Sequence, residues 1–269
     1  MVNLLVAAAV AAAMPAAPHP AAAVSDSVAS PAMFVVRDAD TTVYIFGTFH
    51  ALDGEGQWLS DHVRNAFDQS DELVLETLIP ERPVQVLTPT PGFKPPSVMP
   101  SASFLATTRM AINAGRAQGM QVGNGADMVL RHIAEAEGKP VEGLETLQSQ
   151  LDMFNRMPSA PAAPAPRVGS PVDTKPMEGL SKAMADMQSA WKRGDQRVFV
   201  KMLGQLKTAS PDTYRMLFSA RNERWADWIR ARMQTPGTVF VAVGAGHLAG
   251  PDSLLVRLAE RGIPSQRVN

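Results

Sequence analysis

The chain has 269 residues, with 25 Lys and Arg against 26 Asp and Glu, a formal net charge of −1, and 45% hydrophobic residues. That apolar share fills the core of one sizeable domain, and the charge balance excludes the global positive field used to hold nucleic acid or anionic lipid. Cysteine is absent, which excludes disulfides, thiolate metal sites and a Cys nucleophile.

Residues 4–14 form an unbroken, Ala-rich apolar run, followed by Pro15 and then Ala21, Ala22 and Ala23. An apolar stretch of this length ahead of small residues reads as an export signal, and it is too short to span a bilayer as a helix. Residues 1–24 are therefore expected to be a signal peptide or unstructured leader, although no Lys or Arg precedes the run. The mature protein is expected to be periplasmic or secreted, with no stable membrane anchor.

Residues 33–37 and 42–46 are predicted strands separated by the turn Asp38-Ala39-Asp40. Residues 58–69 are predicted helical, with Leu59, Val63, Ala66 and Phe67 on one face, and residues 72–76 form a short strand. The proline-dense segment 80–100 fits neither helix nor sheet and reads as a surface excursion bordering a cleft. Helical patterns resume over 103–117 and 127–137, followed by a strand at 140–144 and a helix at 145–156. Residues 158–176 form a Pro/Ala-rich linker.

Three amphipathic helices come next. The first carries Leu180, Met184, Met187 and Trp191, and the second Phe199, Met202, Leu203 and Leu206. The third, over 212–233, carries Tyr214, Leu217, Phe218, Trp225, Trp228 and Ile229. The methionines read as core filler rather than a cofactor box. A strand at 238–243, a helix at 251–261 closed by Gly262, and an extended piece to 268 end the chain. Strands at both ends with helices between them predict one α/β domain of mixed α+β character over 31–269. Its central sheet draws strands from both chain ends and is surrounded by helices.

One pattern occurs twice. Thr42-Val43-Tyr44-Ile45-Phe46 leads into Gly47-Thr48-Phe49-His50, and Thr238-Val239-Phe240-Val241-Ala242-Val243 into Gly244-Ala245-Gly246-His247. Each is T-V-aromatic-β-branched, then G-x-x-H, whereas random placement of 19 Gly and 5 His gives fewer than one such match. Continuous apolar strands suit a sheet covered on both faces, and glycine permits a sharp exit and close backbone approach. Ligands of open α/β sheets bind beyond the carboxyl ends of strands, so neighbouring strands bring His50 and His247 together.

Glu76 ends the strand Leu73-Val74-Leu75-Glu76 and is the natural third member. Two His and one carboxylate can hold a catalytic divalent metal or act as acid and base without one. Arg221 falls on the apolar stripe of its helix with Phe218 and Trp225, where a charge needs a partner such as Glu76, Glu145 or a substrate carboxylate. His62 and His132 lack partner motifs and read as surface residues.

Five motifs, in order, carry a resemblance to the TraB/PrgY/GumN family, which includes the animal Tiki proteins. They are Y-I-F-G-T-F-H at 44–50 with L-V-L-E at 73–76, and G-A-D-x-x-L at 125–130 leading into G-K-P-V-E-G-L-E-T at 138–146, with Gln150 after it. W-K-R-G-D at 191–195, R-N-E-R-W at 221–225 and V-A-V-G-A-G-H-L-A-G at 241–250 complete the set. The look is closest to the bacterial GumN-like branch. The resemblance implies an erythromycin-esterase/ChaN-like α/β fold and a site of His50, Glu76 and His247, with Gly47 and Gly244 shaping the turns. Arg221 and Asn222 match the family's R-N pair, and Glu145 its L-E-T glutamate.

Because the Tiki branch is regarded as metal-dependent peptidases, the resemblance also implies a divalent ion, Mn, Co or Zn, on His50, Glu76 and His247. Arg221 would then steady an oxyanion. The expected partner is a peptide or small-molecule substrate, with no nucleic acid. The readings left open are a metal-dependent hydrolase, a non-catalytic binder using the same cleft, and a metal-free His/Glu esterase-like hydrolase. H-E-x-x-H, G-x-S-x-G and P-loop patterns are absent.

Overall fold

The computed structural model describes residues 29–54, 58–78, 102–156 and 175–269. The leader and the proline-dense segment 80–100 lie outside them, as does the linker apart from its last two residues. The strands are β1 (Met33–Arg37), β2 (Thr41–Thr48), β3 (Glu72–Thr77), β4 (Val141–Glu145), β5 (Gly237–Gly244) and β6 (Gln266–Arg267). They form one six-stranded mixed sheet in the order β4-β3-β5-β2-β1-β6. The neighbours β4, β3, β5 and β2 run parallel, while β1 is antiparallel to both β2 and β6.

The two copies of the repeated motif lie side by side. Thr42 pairs with Thr238, Val43 with Val239 and Tyr44 with Phe240, so the matching residues are in register. Being parallel neighbours, β2 and β5 leave the sheet at the same edge, and their G-x-x-H turns emerge together. Between β2 and β3 comes α1 (Asp61–Asp68). Between β3 and β4 come α2 (Ala102–Arg116) and α3 (Ala126–Ala136). After β4 come α4 (Leu147–Asn155), α5 (Lys175–Lys192) and α6 (Arg197–Ala209).

The predicted long helix over 212–233 is interrupted: α7 (Pro211–Tyr214) passes into a π-helical turn at Arg215–Ser219, then α8 (Ala220–Arg232). A final helix, α9 (Leu254–Glu260), comes after β5. The helix expected from Trp58 begins only at Asp61, and Trp58 instead stacks on Phe46 at 5.7 Å.

Strand alternation sorts the core into two layers. Tyr44, Phe46, Leu73, Leu75, Phe240 and Ala242 pack on one face against α1, α3, α5 and α6. Val43, Ile45, Val74, Val239, Val241 and Val243 pack on the other against Trp225, Ala226 and Ile229 of α8 and Leu254 and Leu258 of α9. Coverage of both faces is what the uninterrupted apolar strands demand.

The predicted core methionines Met184, Met187 and Met202 are buried. Trp191, near the end of α5, donates from Nε1 to the Gly47 carbonyl at 2.7 Å and packs edge-on to Phe46. It thereby fixes the first G-x-x-H turn to the helical layer. Replacing Trp191 with Phe removes this buried hydrogen bond and part of an aromatic cluster, and is expected to cost about 2 kcal/mol. Denaturant unfolding measures the loss, and an unchanged midpoint would show that the bond contributes nothing.

Candidate active site

His50, Glu76 and His247 meet at the carboxyl edge of β2, β3 and β5. Gly244 is their common floor. A Cβ there would stand 3.1 Å from Glu76 Oε1 and 3.1 Å from His50 Nε2, so a side chain would displace both. The Gly244 N–H donates to Glu76 Oε1 at 2.6 Å. Gly47 serves the turns themselves, since a Cβ on it would approach the Ala245 Cα to 3.3 Å.

Glu76 is buried, 4% exposed, and is not a solvated strand end. Arg221, 1% exposed, donates from Nη2 to Glu76 Oε2 at 2.8 Å and from Nε to Glu145 Oε1 and Oε2 at 3.1 and 3.0 Å. Its Nη1 reaches the Leu217 carbonyl, in the π-helical turn, and lies 3.3 Å from His247 Nε2. Arg224 adds a second cation to Glu145. The L-E-T motif thus supplies a buried counter-charge, and Thr146 caps α4 by accepting from the Ser149 N–H. With its donors engaged in this way, Arg221 positions Glu76 rather than facing an oxyanion.

The two histidines have opposite electrostatic character. His247, 2% exposed, lies between Phe218 and Trp225, with ring centroids at 5.0 and 4.4 Å. Its Nδ1 is 2.7 Å from Asn222 Oδ1, while Asn222 Nδ2 donates to the Asp252 carbonyl. Asn222 Oδ1 can only accept, so His247 carries its proton on Nδ1 and turns the Nε2 lone pair toward Arg221. Burial, with the charge of Arg221 adding to it, lowers the His247 pKa to about 3 despite Glu76 nearby.

The His50 side chain keeps 14% exposure, and its Nδ1 is 3.1 Å from Asp127 Oδ1. Burial lowers its pKa, but the Asp127 charge and hydrogen bond, with Glu76, more than offset this and leave it raised. Sequence reasoning assigns Asp127 no role; its one signal is its place in the G-A-D motif. The loop after β2 is stitched to the approach of α3 by Leu52 and Gln121, which exchange backbone bonds, and by Ala126 N–H to the Phe49 carbonyl. Those contacts set Asp127 beside His50. His62 and His132 are exposed, as expected.

The expected metal trio can be tested against this geometry. Glu76 Oε1 and His247 Nε2 lie 3.8 Å apart, a spacing two ligands of one ion can have. However, the Arg221 guanidinium already bonds the other oxygen of Glu76 and sits against the His247 lone pair. No group of three or more His, Asp or Glu able to hold an ion forms among the described residues. As arranged, the trio does not fit a divalent cation, because the fixed guanidinium takes the position its charge would occupy.

A cavity of about 50 Å³ opens onto the site, lined by His50, Glu76 and His247 at its base and by Met187, Phe199, Met202 and Phe218 above. Two methionines read from sequence as core filler, Met187 of α5 and Met202 of α6, therefore also wall the site.

The sequence matches the TraB/PrgY/gumN family over residues 32–90 and 89–267, and the chain belongs to that family. Comparison with curated proteins and with solved structures yields no match. No described helix is long and apolar enough to cross a membrane.

Two measurements test this electrostatic arrangement. Arg221→Met leaves Glu76 buried beside an uncharged side chain and is expected to lose about 3–5 kcal/mol of stability, read by urea unfolding at neutral pH. The second concerns acid. Burial raises the Glu76 pKa, but the Arg221 charge foremost holds it at about 2, below the ordinary 4.5, so its contribution is present above 4.5 and lost as pH falls toward 2. The unfolded chain protonates His247 near 6.5 and the folded one only near 3, so stability also declines between those values. The melting temperature should therefore fall steadily below pH 6.5, and a flat profile down to pH 3.5 would refute the assignment. His50 acts in the opposite sense: its contribution is full below 6.5 and is lost as pH rises through its raised value.

Proposed function

We propose that the protein is a hydrolase of acyl bonds, ester or amide, in which His50 is the general acid–base and no metal takes part. The observation that carries this reading is that His50, which lines an apolar cavity, has its Nδ1 held by Asp127. An imidazole backed by a carboxylate on Nδ1 is oriented to exchange a proton through Nε2. Glu76 is a poor base, since its pKa is held near 2. Its fixed negative charge instead favours the imidazolium form of His50 after proton uptake. His247, neutral and packed between two aromatic rings, shapes the wall beside Gly244.

Hydrolysis then runs with simple atom balance. A water oxygen bonds to the acyl carbon, one water proton passes to His50 Nε2, and the bond to the leaving group breaks. The leaving group takes the proton back from His50 and departs as an alcohol or amine. Met187, Phe199, Met202 and Phe218 favour a substrate with an apolar group next to the scissile bond. We place the reaction outside the cytoplasm, supported by the apolar run at 4–14 and the small residues beyond it.

One observation favours a metal-dependent peptidase as a second reading. Both imidazoles have Nδ1 tied to an oxygen, which is how metal-ligating histidines are oriented.

The test is turnover of a panel of apolar esters and peptides, with and without EDTA. The expected result is chelator-insensitive cleavage whose kcat/KM rises with pH through a value above 6.5, where His50 loses its proton. His50→Ala should cost about 10²–10⁴-fold, and Asp127→Asn should move the pH midpoint downward. Activity lost to EDTA and restored by Mn²⁺, Co²⁺ or Zn²⁺ would replace this reading with the metal-dependent one. Saturable binding without product would make the protein a binder.

A further inference from the structure

Behind the site lies a second, smaller cavity of about 10 Å³, on the sheet face covered by α3. Thr48, His50 and Glu76 line both cavities and form the partition between them. The rear lining adds Thr77, Asp127 and Arg131 to the apolar Leu75, Met128 and Ala242, whereas the front cavity is walled by methionine and phenylalanine.

Two threonines with buried hydroxyls line this rear space. Thr48 is 1% exposed and Thr77 5% exposed, and neither Oγ1 has a hydrogen-bond partner among the described residues. The strand register accounts for their placement. Thr48 pairs with Gly244, and β3 runs parallel along the other side of β5. The two threonines thus flank the carboxyl end of β5, where Gly244 carries no side chain. A threonine at either position is a curious choice if its hydroxyl is to remain unmatched. A buried hydroxyl without a partner is unfavourable, whereas valine has the same shape without that penalty. A buried water normally satisfies such groups, and a cavity of about 10–15 Å³ is the least that holds one.

We propose that Thr48 and Thr77 make the rear cavity a water-binding site, and that the water held there is the one consumed in hydrolysis. It is delivered to the partition formed by His50 and Glu76 while the apolar substrate enters from the front. This rests on the hydrolytic reading above. The stoichiometry is the one already given: oxygen to the acyl carbon, one proton by way of His50 to the leaving group. Thr48 and Thr77 act on the attacking water and not on the acyl substrate. The division of labour keeps the nucleophile from competing with the substrate for the front cavity.

The test has two arms that fail separately. A high-resolution crystal structure of the wild-type protein should show an ordered water bonded to the Thr48 or Thr77 hydroxyl and in hydrogen-bond reach of His50 or Glu76. Hydroxyls bonded only to protein groups, or a dry cavity, would overturn the proposal even in an active enzyme. In kinetics, Thr48→Val and Thr77→Val should each lower kcat about tenfold, with KM nearly unchanged. Thr48→Ser and Thr77→Ser, which keep the hydroxyl and lose the methyl, should recover most of the activity. A purely structural role predicts the reverse order, with Val tolerated and Ser not, and that result would overturn the proposal. Valine variants as active as wild type would do so as well. A wild-type protein that turns over no acyl substrate sinks the hydrolytic reading, while the crystallographic arm still decides whether the hydroxyls hold water.

Discussion

A guanidinium taken wholly out of water is unfavourable by several kcal/mol unless its donors are matched, and Arg221 is matched by two carboxylates at once. Those carboxylates stand at the ends of β3 and β4, the cation belongs to α8, and its remaining donor touches His247 beyond β5. One side chain therefore ties together four segments that are remote in sequence. Its flat face also lies 4.5 Å from the centre of the Trp225 ring, which in turn packs on His247. The arrangement leaves Arg221 little freedom, and Glu76 inherits that rigidity.

The same interaction explains why one motif, used twice, yields two unlike imidazoles. His247 has a cation against Nε2 and an amide oxygen on Nδ1, in a dry aromatic slot, and stays uncharged. His50 has a carboxylate on Nδ1, keeps an edge in solvent, and is more basic than usual. Environments that push paired titratable groups apart are a common way to separate an acid–base group from a neutral one. Here the difference arises from the course of the chain beyond each strand. After β2 the chain is held against α3 and meets Asp127; after β5 it turns directly under α8 and meets Arg221 and Asn222.

Much of this was legible in the chain because local pattern and tertiary placement agree. The T-V-aromatic repeat announced two equivalent strands, and equivalent parallel neighbours have only one way to present their exits. The apolar stripe shared by Phe218, Arg221 and Trp225 announced a paired charge, and both suggested protein partners, Glu76 and Glu145, are engaged. Asp127 was not legible as a partner of His50, because an acidic residue in the first turn of a helix is explained locally by the helix dipole. Its contact with His50 comes from loop contacts, the pairing of Leu52 with Gln121 and the Ala126 N–H on the Phe49 carbonyl. The π-helical turn at Arg215–Ser219 was equally hidden: residues there keep helical periodicity, and the extra residue in the turn shows only as a shift of the buried face. Trp58 suits a helix by its apolar spacing, whereas ring packing with Phe46 keeps it outside one.

The position of β5 in the sheet order has a kinetic consequence. Residues 237–244 supply the strand that separates β3 from β2, although both of those are made more than 150 residues earlier. Until that late segment arrives, β2 and β3 have no common neighbour, and each presents an unpaired ladder edge. Contacts of such long sequence separation form slowly, since loop closure must precede any gain from pairing. The sheet's middle is thus assembled from a piece made long after its two neighbours, and a product truncated before residue 237 would carry His50 and Glu76 with nothing to join them.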